Sequence, residues 1–204
     1  MDFQTWISFA IFTLLLTSTP GAGCILTINH SLQHGWKPTR VMILGQEIAI
    51  LVLMFSVTLG AKDLANLTNT MLVIKFVGVA WLLYTAWSAW TSPFNDLLRV
   101  DQIPLASVSH RFIKGFVTDI TNGKAWAFFV AMVPSYLNMD HSILPQSFIL
   151  SCTMVGIDTI VLLFYSILCS YLRQYFTSPS FVKIQNRVSS VVFILLAWKI
   201  VVSI

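Results

Sequence analysis

Four ionisable residues stand inside long apolar stretches of this sequence: Glu47, Asp119, Lys124 and Asp158. A charge at the centre of an apolar layer costs about 2.5 to 3.5 kcal/mol on insertion scales, so such groups tend to be paired or functional. A carboxyl withdrawn from water can hold and release a proton near neutral pH. Asp158, Glu47 and Asp119 are therefore the candidates for proton coupling, with Asp158 first. Their structural alternative is a carboxyl that caps a helix end or bonds a nearby Ser or Thr. Lys124 can hold a carboxylate, and Asn122 can hydrogen-bond it. Asp119 and Lys124 also flank one break in an apolar run, and mutual pairing across it is the competing expectation.

Two apolar segments are interrupted in the same way, half the 204-residue chain apart. The first runs to Leu16, breaks at Thr17-Ser18-Thr19-Pro20-Gly21-Ala22-Gly23, and resumes at Cys24. The second runs to Val117, breaks at Thr118-Asp119-Ile120-Thr121-Asn122-Gly123-Lys124, and resumes at Ala125. Pro20 removes an amide donor and clashes with the preceding turn, so a helix should split there. Gly21 and Gly23 allow close backbone approach. A new helix N-terminus offers amides to a carboxylate, and the freed carbonyls on the other side suit an ammonium. A zwitterionic amino acid needs both. Broken backbone in lipid is costly unless it lines a polar cavity or is buried in protein. A single break is as readily a packing kink. Matching breaks in two halves point instead to a transporter binding site. The expected substrate-binding set is Pro20, Gly21, Gly23, Asn122, Gly123 and Lys124.

These breaks sit in a chain built for lipid. Hydrophobic residues make up 56% and charged residues 10%, whereas soluble domains carry about a quarter charged. Six spans are expected, near Thr5–Ile28, Thr39–Leu59, Met71–Trp90, Phe112–Leu137, Pro145–Leu172 and Val182–Val202. The fold class is an all-α membrane protein. Its two three-helix repeats, 1–90 and 112–204, join through a loop at 91–111 into one polytopic domain, with the first and fourth helices broken. The runs are continuously apolar, which speaks against a barrel. Basic residues gather in alternate loops: Lys37 and Arg40, then Arg99, Arg111 and Lys114, then Arg173, Lys183 and Arg187. The positive-inside rule places those loops in the cytoplasm and both termini outside. An odd number of spans per half inverts the second half relative to the first. The net charge of +4 thus reflects topology, and no nucleic-acid partner is expected.

The remaining motifs carry little chemistry. Cys24, Cys152 and Cys169 lack zinc or disulfide spacing and read as packed thiols. His30 and His34 share a helix face, but the structural reading outweighs a metal site. Lys75 lies near a span end and can snorkel. Trp36, Trp87, Trp90 and Trp198 read as interfacial anchors, and Trp81 and Trp126 as packing residues. The segment Trp6–Leu16 lacks a basic flank and is expected to be retained rather than cleaved. No cofactor and no enzymatic motif is evident; His-Glu-x-x-His and Gly-x-Ser-x-Gly are missing.

The residues from Thr19-Pro20-Gly21-Ala22-Gly23 to Ser31-Leu32-Gln33-His34-Gly35-Trp36 resemble the opening of the LysE superfamily of amino-acid exporters, nearest to its RhtB (homoserine/threonine) branch. Lys75 to Leu82 is similar to that family's third span, and Gly115 to Pro134 to its fourth. Asp158 matches an acidic position of the branch's fifth span. Ala22 stands where the family usually has the second proline of Pro-Gly-Pro, and Gly123 where it has the proline of Asn-Pro-Lys. Glu47 lies between Gly45 and Ala49, where members are usually uncharged. The resemblance implies export of a small neutral amino acid from the cytoplasm by proton antiport. Its partners are that substrate, protons and the inner-membrane bilayer, and a homo-oligomer is allowed. The altered motif leaves an alternative, an accessory or structural membrane subunit with lapsed transport.

Overall fold

The computed structural model describes residues 1–19, 21–65, 68–91, 104–172 and 179–202. Pro20, Pro93, Arg99, Arg173 and most of the 91–111 loop lie outside them. The described residues form helices and no strand: α1 (Phe3–Ser18), α2 (Ala22–His34), α3 (Trp36–Ala65), α4 (Thr68–Thr91), α5 (Val108–Ile120), α6 (Gly123–Met132), a 3₁₀ turn (Val133–Tyr136), α7 (Ile143–Tyr171) and α8 (Pro179–Val202). Each half therefore reads broken pair, long helix, long helix. Among the described residues, three helices are long and apolar enough to cross a membrane alone: α3, α7 and α8. The α1–α2 pair, bent by 52°, is a fourth if the two helices are counted as one span. Neither α4 nor the α5–α6 pair is among them.

Local chemistry sets the ends. Asp2 accepts the Thr5 amide at 2.7 Å and caps α1. That bond holds the Asp2 carboxyl below the ordinary carboxylate range. Gly35 ends α2 with φ of 80°, a conformation costly for other residues. α3 follows at once. Ser107 caps α5 through the His110 amide. Gln146 of α7 accepts the Asn138 amide and donates to the Asn138 and Ser142 carbonyls, which fixes the turn before α7.

Beside its apolar core the molecule buries polar side chains and exposes large apolar ones. α5 buries Arg111, Gly115 and Asp119 at every fourth position, while Ile113 and Val117 are exposed. Gln46, Glu47 and Asp158 are buried as well. Phe76, Trp87, Phe148, Ile160, Phe164, Tyr171 and Trp198 face outward. Such an apolar exterior suits lipid rather than water, and the inward polar groups suit a functional interior. Cys24 and Cys169 are buried as expected, but Cys152 is exposed. It shares the outer face of α7 with Phe148 and Ile149, because a helix apolar on every side must turn some residues outward.

Close helix contact depends on glycine. A Cβ on Gly45 of α3 would strike the Phe112 carbonyl oxygen and lie 3.0 Å from the Phe116 nitrogen. A Cβ on Gly115 of α5 would strike the Met42 carbonyl oxygen. The two glycines thus let the α3 and α5 backbones touch, as small residues do between membrane helices. At the same end, Arg111 donates to the carbonyls of Pro38 and Ala106. This ties the α2–α3 corner, with Lys37 and Arg40, to the start of α5. The largest apolar cluster lies under α1, α3, α4, α6, α7 and α8, with Phe9, Phe128, Phe129 and Leu196 at or near zero exposure.

Candidate functional site at the meeting of two helix breaks

The break after α1 and the break before α6 line one cavity of about 50 Å³. Thr19, Gly21 and Gly23 come from the first break; Asp119, Asn122 and Lys124 come from the second. α7 adds Met154 and Asp158. A water molecule's share of liquid volume is about 30 Å³, so the cavity has room for water but not for an amino acid.

Lys124 joins the two breaks. Its ammonium donates to the Leu16 carbonyl at 2.8 Å, the Thr19 carbonyl at 2.8 Å and the Thr19 hydroxyl at 2.9 Å. A helix leaves its last carbonyls without intrahelical partners. Here they are satisfied from elsewhere: the Thr19 amide and hydroxyl also reach Leu16, and the Tyr165 hydroxyl reaches Ser18 at 2.8 Å. The ammonium expected at the freed carbonyls is therefore the protein's own. The expected Asp119–Lys124 pairing is replaced by this contact. Asp119 instead accepts the Asn122 side-chain amide at 3.2 Å. The lysine turns away because the α1 end offers three oxygens in one place.

The other side of the first break is an open helix N-terminus. Gly21 is the N-cap of α2 and supplies no side-chain bond. The opposite arrangement holds at α6, where the Asn122 side chain accepts the Lys124 amide at 3.1 Å. Asn122 thus spans the second break, one end on Asp119 and the other on α6. Gly21, Gly23 and Cys24, at the start of α2, line the cavity. Gly23 is needed for space: an added Cβ would run into the Asp119 carboxylate and lie 2.7 Å from the Gln46 amide nitrogen.

Not every expected site residue reaches this cavity. Pro20 lies outside the described residues. Gly123 faces away: a Cβ there would sit 2.5 Å from Cζ2 of Trp81, so the glycine makes room for that indole ring. Glu47 is buried at 5% exposure beside the cavity, and neither of its oxygens has a hydrogen-bond partner. Asp158 and Asp119 are the charged groups that act on it. Gln46 is a site residue that the sequence reading passed over. It accepts the Thr27 hydroxyl at 2.9 Å, and its amide nitrogen is unpartnered. Its polar type beside Glu47, in an apolar run, was the available signal.

His30 and His34 stack at 4.8 Å between ring centres. His30 Nδ1 bonds the Thr39 hydroxyl at 2.7 Å, within a buried network that includes Ser31 and Ser166. The pair therefore has a structural employment at the α2–α3 corner.

A homoserine/homoserine lactone efflux protein of Salmonella typhi is 26% identical over 96% of this chain and 95% of its own length. An uncharacterized membrane protein of Vibrio cholerae is 25% identical over 95% of this chain and 94% of its own. A cysteine/O-acetylserine efflux protein of Salmonella choleraesuis is 30% identical over 44% of this chain and 46% of its own. No solved structure matches the chain. Residues 14–203 match the profile of the LysE type translocators, and the chain belongs to that family of membrane proteins.

Proposed function

We propose that this protein exports a small neutral amino acid, of about the size of homoserine or cysteine, from the cytoplasm by proton antiport. The observation that carries the reading is the shared cavity: two helix breaks, distant in sequence, meet around Lys124, Asp119 and Asp158. The efflux proteins among the relatives support the substrate class.

The chemistry proceeds from the arrangement. The substrate carboxylate binds at the uncapped α2 N-terminus, where amides and helix dipole favour an anion. Lys124 stands beside it, 3.2 Å from where a Gly21 Cβ would lie. The substrate ammonium faces Asp119 and Asp158. One ammonium and three carboxyls meet in and beside the site, and unpaired buried charge is costly, so protons balance the excess. Substrate ammonium and proton thus compete for Asp158, with Glu47 second and Asp119 third. That competition couples export to proton entry. Lys124 holds α1 to α6 while the cavity is too small for substrate, and its release from the α1 carbonyls opens a path.

Six spans, with α4 and the α5–α6 pair also crossing, form two inverted repeats in one domain of the cytoplasmic membrane. The repeated order of broken pair and two long helices supports this. The tie between Arg111 and the α2–α3 corner supports a cytoplasmic face there, with both termini outside. The test is counterflow of labelled L-homoserine in proteoliposomes, with and without an imposed pH gradient. Counterflow that responds to the gradient is expected. Its absence for homoserine, cysteine and threonine alike would leave the accessory-subunit reading.

A further inference from the structure

A second recess lies at the opposite end of α1. It measures about 370 Å³ and is lined by Gln4, Thr5, Ser8, Tyr136 and Lys199, among others. A neighbouring hollow of about 330 Å³ shares Thr5, Ser135 and Tyr136, and adds Asp2 and Asn138. Either is several times larger than the central cavity. Lys199 projects from the last turns of α8. Its ammonium donates to the Ser8 hydroxyl at 3.0 Å and the Tyr136 hydroxyl at 2.9 Å, and lies 3.4 Å from the centre of the Phe12 ring. All these partners are neutral. A charged donor with neutral partners in an open recess bonds an anion more strongly than it bonds them. At the other end, the exposed Asp2 carboxylate spends one oxygen on the Thr5 amide. A carboxylate has about four acceptor positions, so most of its capacity is unspent.

We propose that Lys199, Ser8 and Tyr136 form a second station for an α-amino acid, taking its carboxylate, while Asp2 faces its ammonium. This rests on reading the protein as an amino-acid exporter. With the basic loops in the cytoplasm, the recess opens outward, so it is where exported substrate lodges before release. Lys124 and Lys199 then serve the same carboxylate in turn, one at each end of α1.

The test is equilibrium binding of radiolabelled L-homoserine to the full chain in nanodiscs. In Lys124→Met, which removes the central lysine, binding at millimolar concentration is expected to persist. Adding Lys199→Met should weaken it at least tenfold, and Lys199→Arg should retain most of it. L-Homoserine lactone, which has no free carboxylate, should not compete for this residual site. Asp2→Asn should weaken homoserine but not 4-hydroxybutyrate, which has no amine. If the lysine variants melt early, Ser8→Ala and Tyr136→Phe keep the packing and should each weaken residual binding several-fold. No binding in Lys124→Met, or binding indifferent to Lys199 or to Ser8 and Tyr136, overturns the second station. Binding lost with Lys199 but untouched by Lys124→Met would instead sink the central site and leave this one.

Discussion

The ammonium of Lys124 lies 2.8 Å from the carbonyl oxygen of Leu16, across 108 residues of sequence. One contact thereby closes the end of the first broken helix with a side chain from the second. A movement that separates the two breaks must lengthen it.

Lys124→Met should impair both folding and transport. The Leu16 and Thr19 carbonyls would lose a charged donor, and a buried polar group left unpaired costs about 1 to 3 kcal/mol. A lowered melting temperature in detergent is expected, with counterflow reduced at least a hundredfold. Lys124→Arg should recover stability better than transport, since a planar fork cannot reproduce three convergent bonds. Transport at the normal rate in Lys124→Met would remove the lysine from the mechanism.

Gly23→Ala should block the site. The methyl group would collide with Asp119 and the Gln46 amide, and overpacking of this kind costs about 1 to 3 kcal/mol. Gly60 and Gly156 have nothing within 4 Å of an added Cβ, so alanine there should leave both expression and counterflow unchanged. Equal behaviour of all three variants would argue against a tight site at Gly23.

Gly45→Ala and Gly115→Ala should weaken the α3–α5 contact, each by about 1 to 3 kcal/mol or more, because the obstruction is backbone rather than a mobile side chain. Thermal melting of the purified protein is the measurement. The double variant should lose less than the sum, since the two sites share one interface.

Asp158→Asn should abolish accumulation driven by a pH gradient in inverted vesicles while substrate exchange continues. The sign follows from antiport: wild-type accumulation rises as the vesicle interior, the former outside, is made more acidic, and the variant should be flat. Glu47→Gln is expected to reduce the gradient effect less. Full pH-driven transport in Asp158→Asn excludes it as the carrier.

A C-terminal phosphatase fusion should be active and a C-terminal fluorescent-protein fusion dark. The reverse pattern would change the number of spans or their direction, and the inverted-repeat proposal would fail with it.

Composition and spacing by themselves determined that this is a helical membrane protein with breaks near Pro20 and Asn122. Those features are local: proline and glycine disturb the nearest turns wherever the helix lies. The positions of Asp119, Asn122, Lys124 and Asp158 as polar residues in apolar runs were equally legible, since burial of such groups needs a reason. What Lys124 touches was not. Its choice between Asp119, five residues back, and the α1 carbonyls depends on how α6 meets α1, which no local pattern encodes. Gly123 is similar: its role is to admit Trp81 of α4, a neighbour fixed only when the helices pack. The recess at Lys199 depends on three segments, the start of α1, the turn after α6 and the end of α8, and sequence alone shows only a lysine near a helix end. Periodicity and breaks are properties of one helix, whereas partners and cavities are properties of several, and only the tertiary structure decides those.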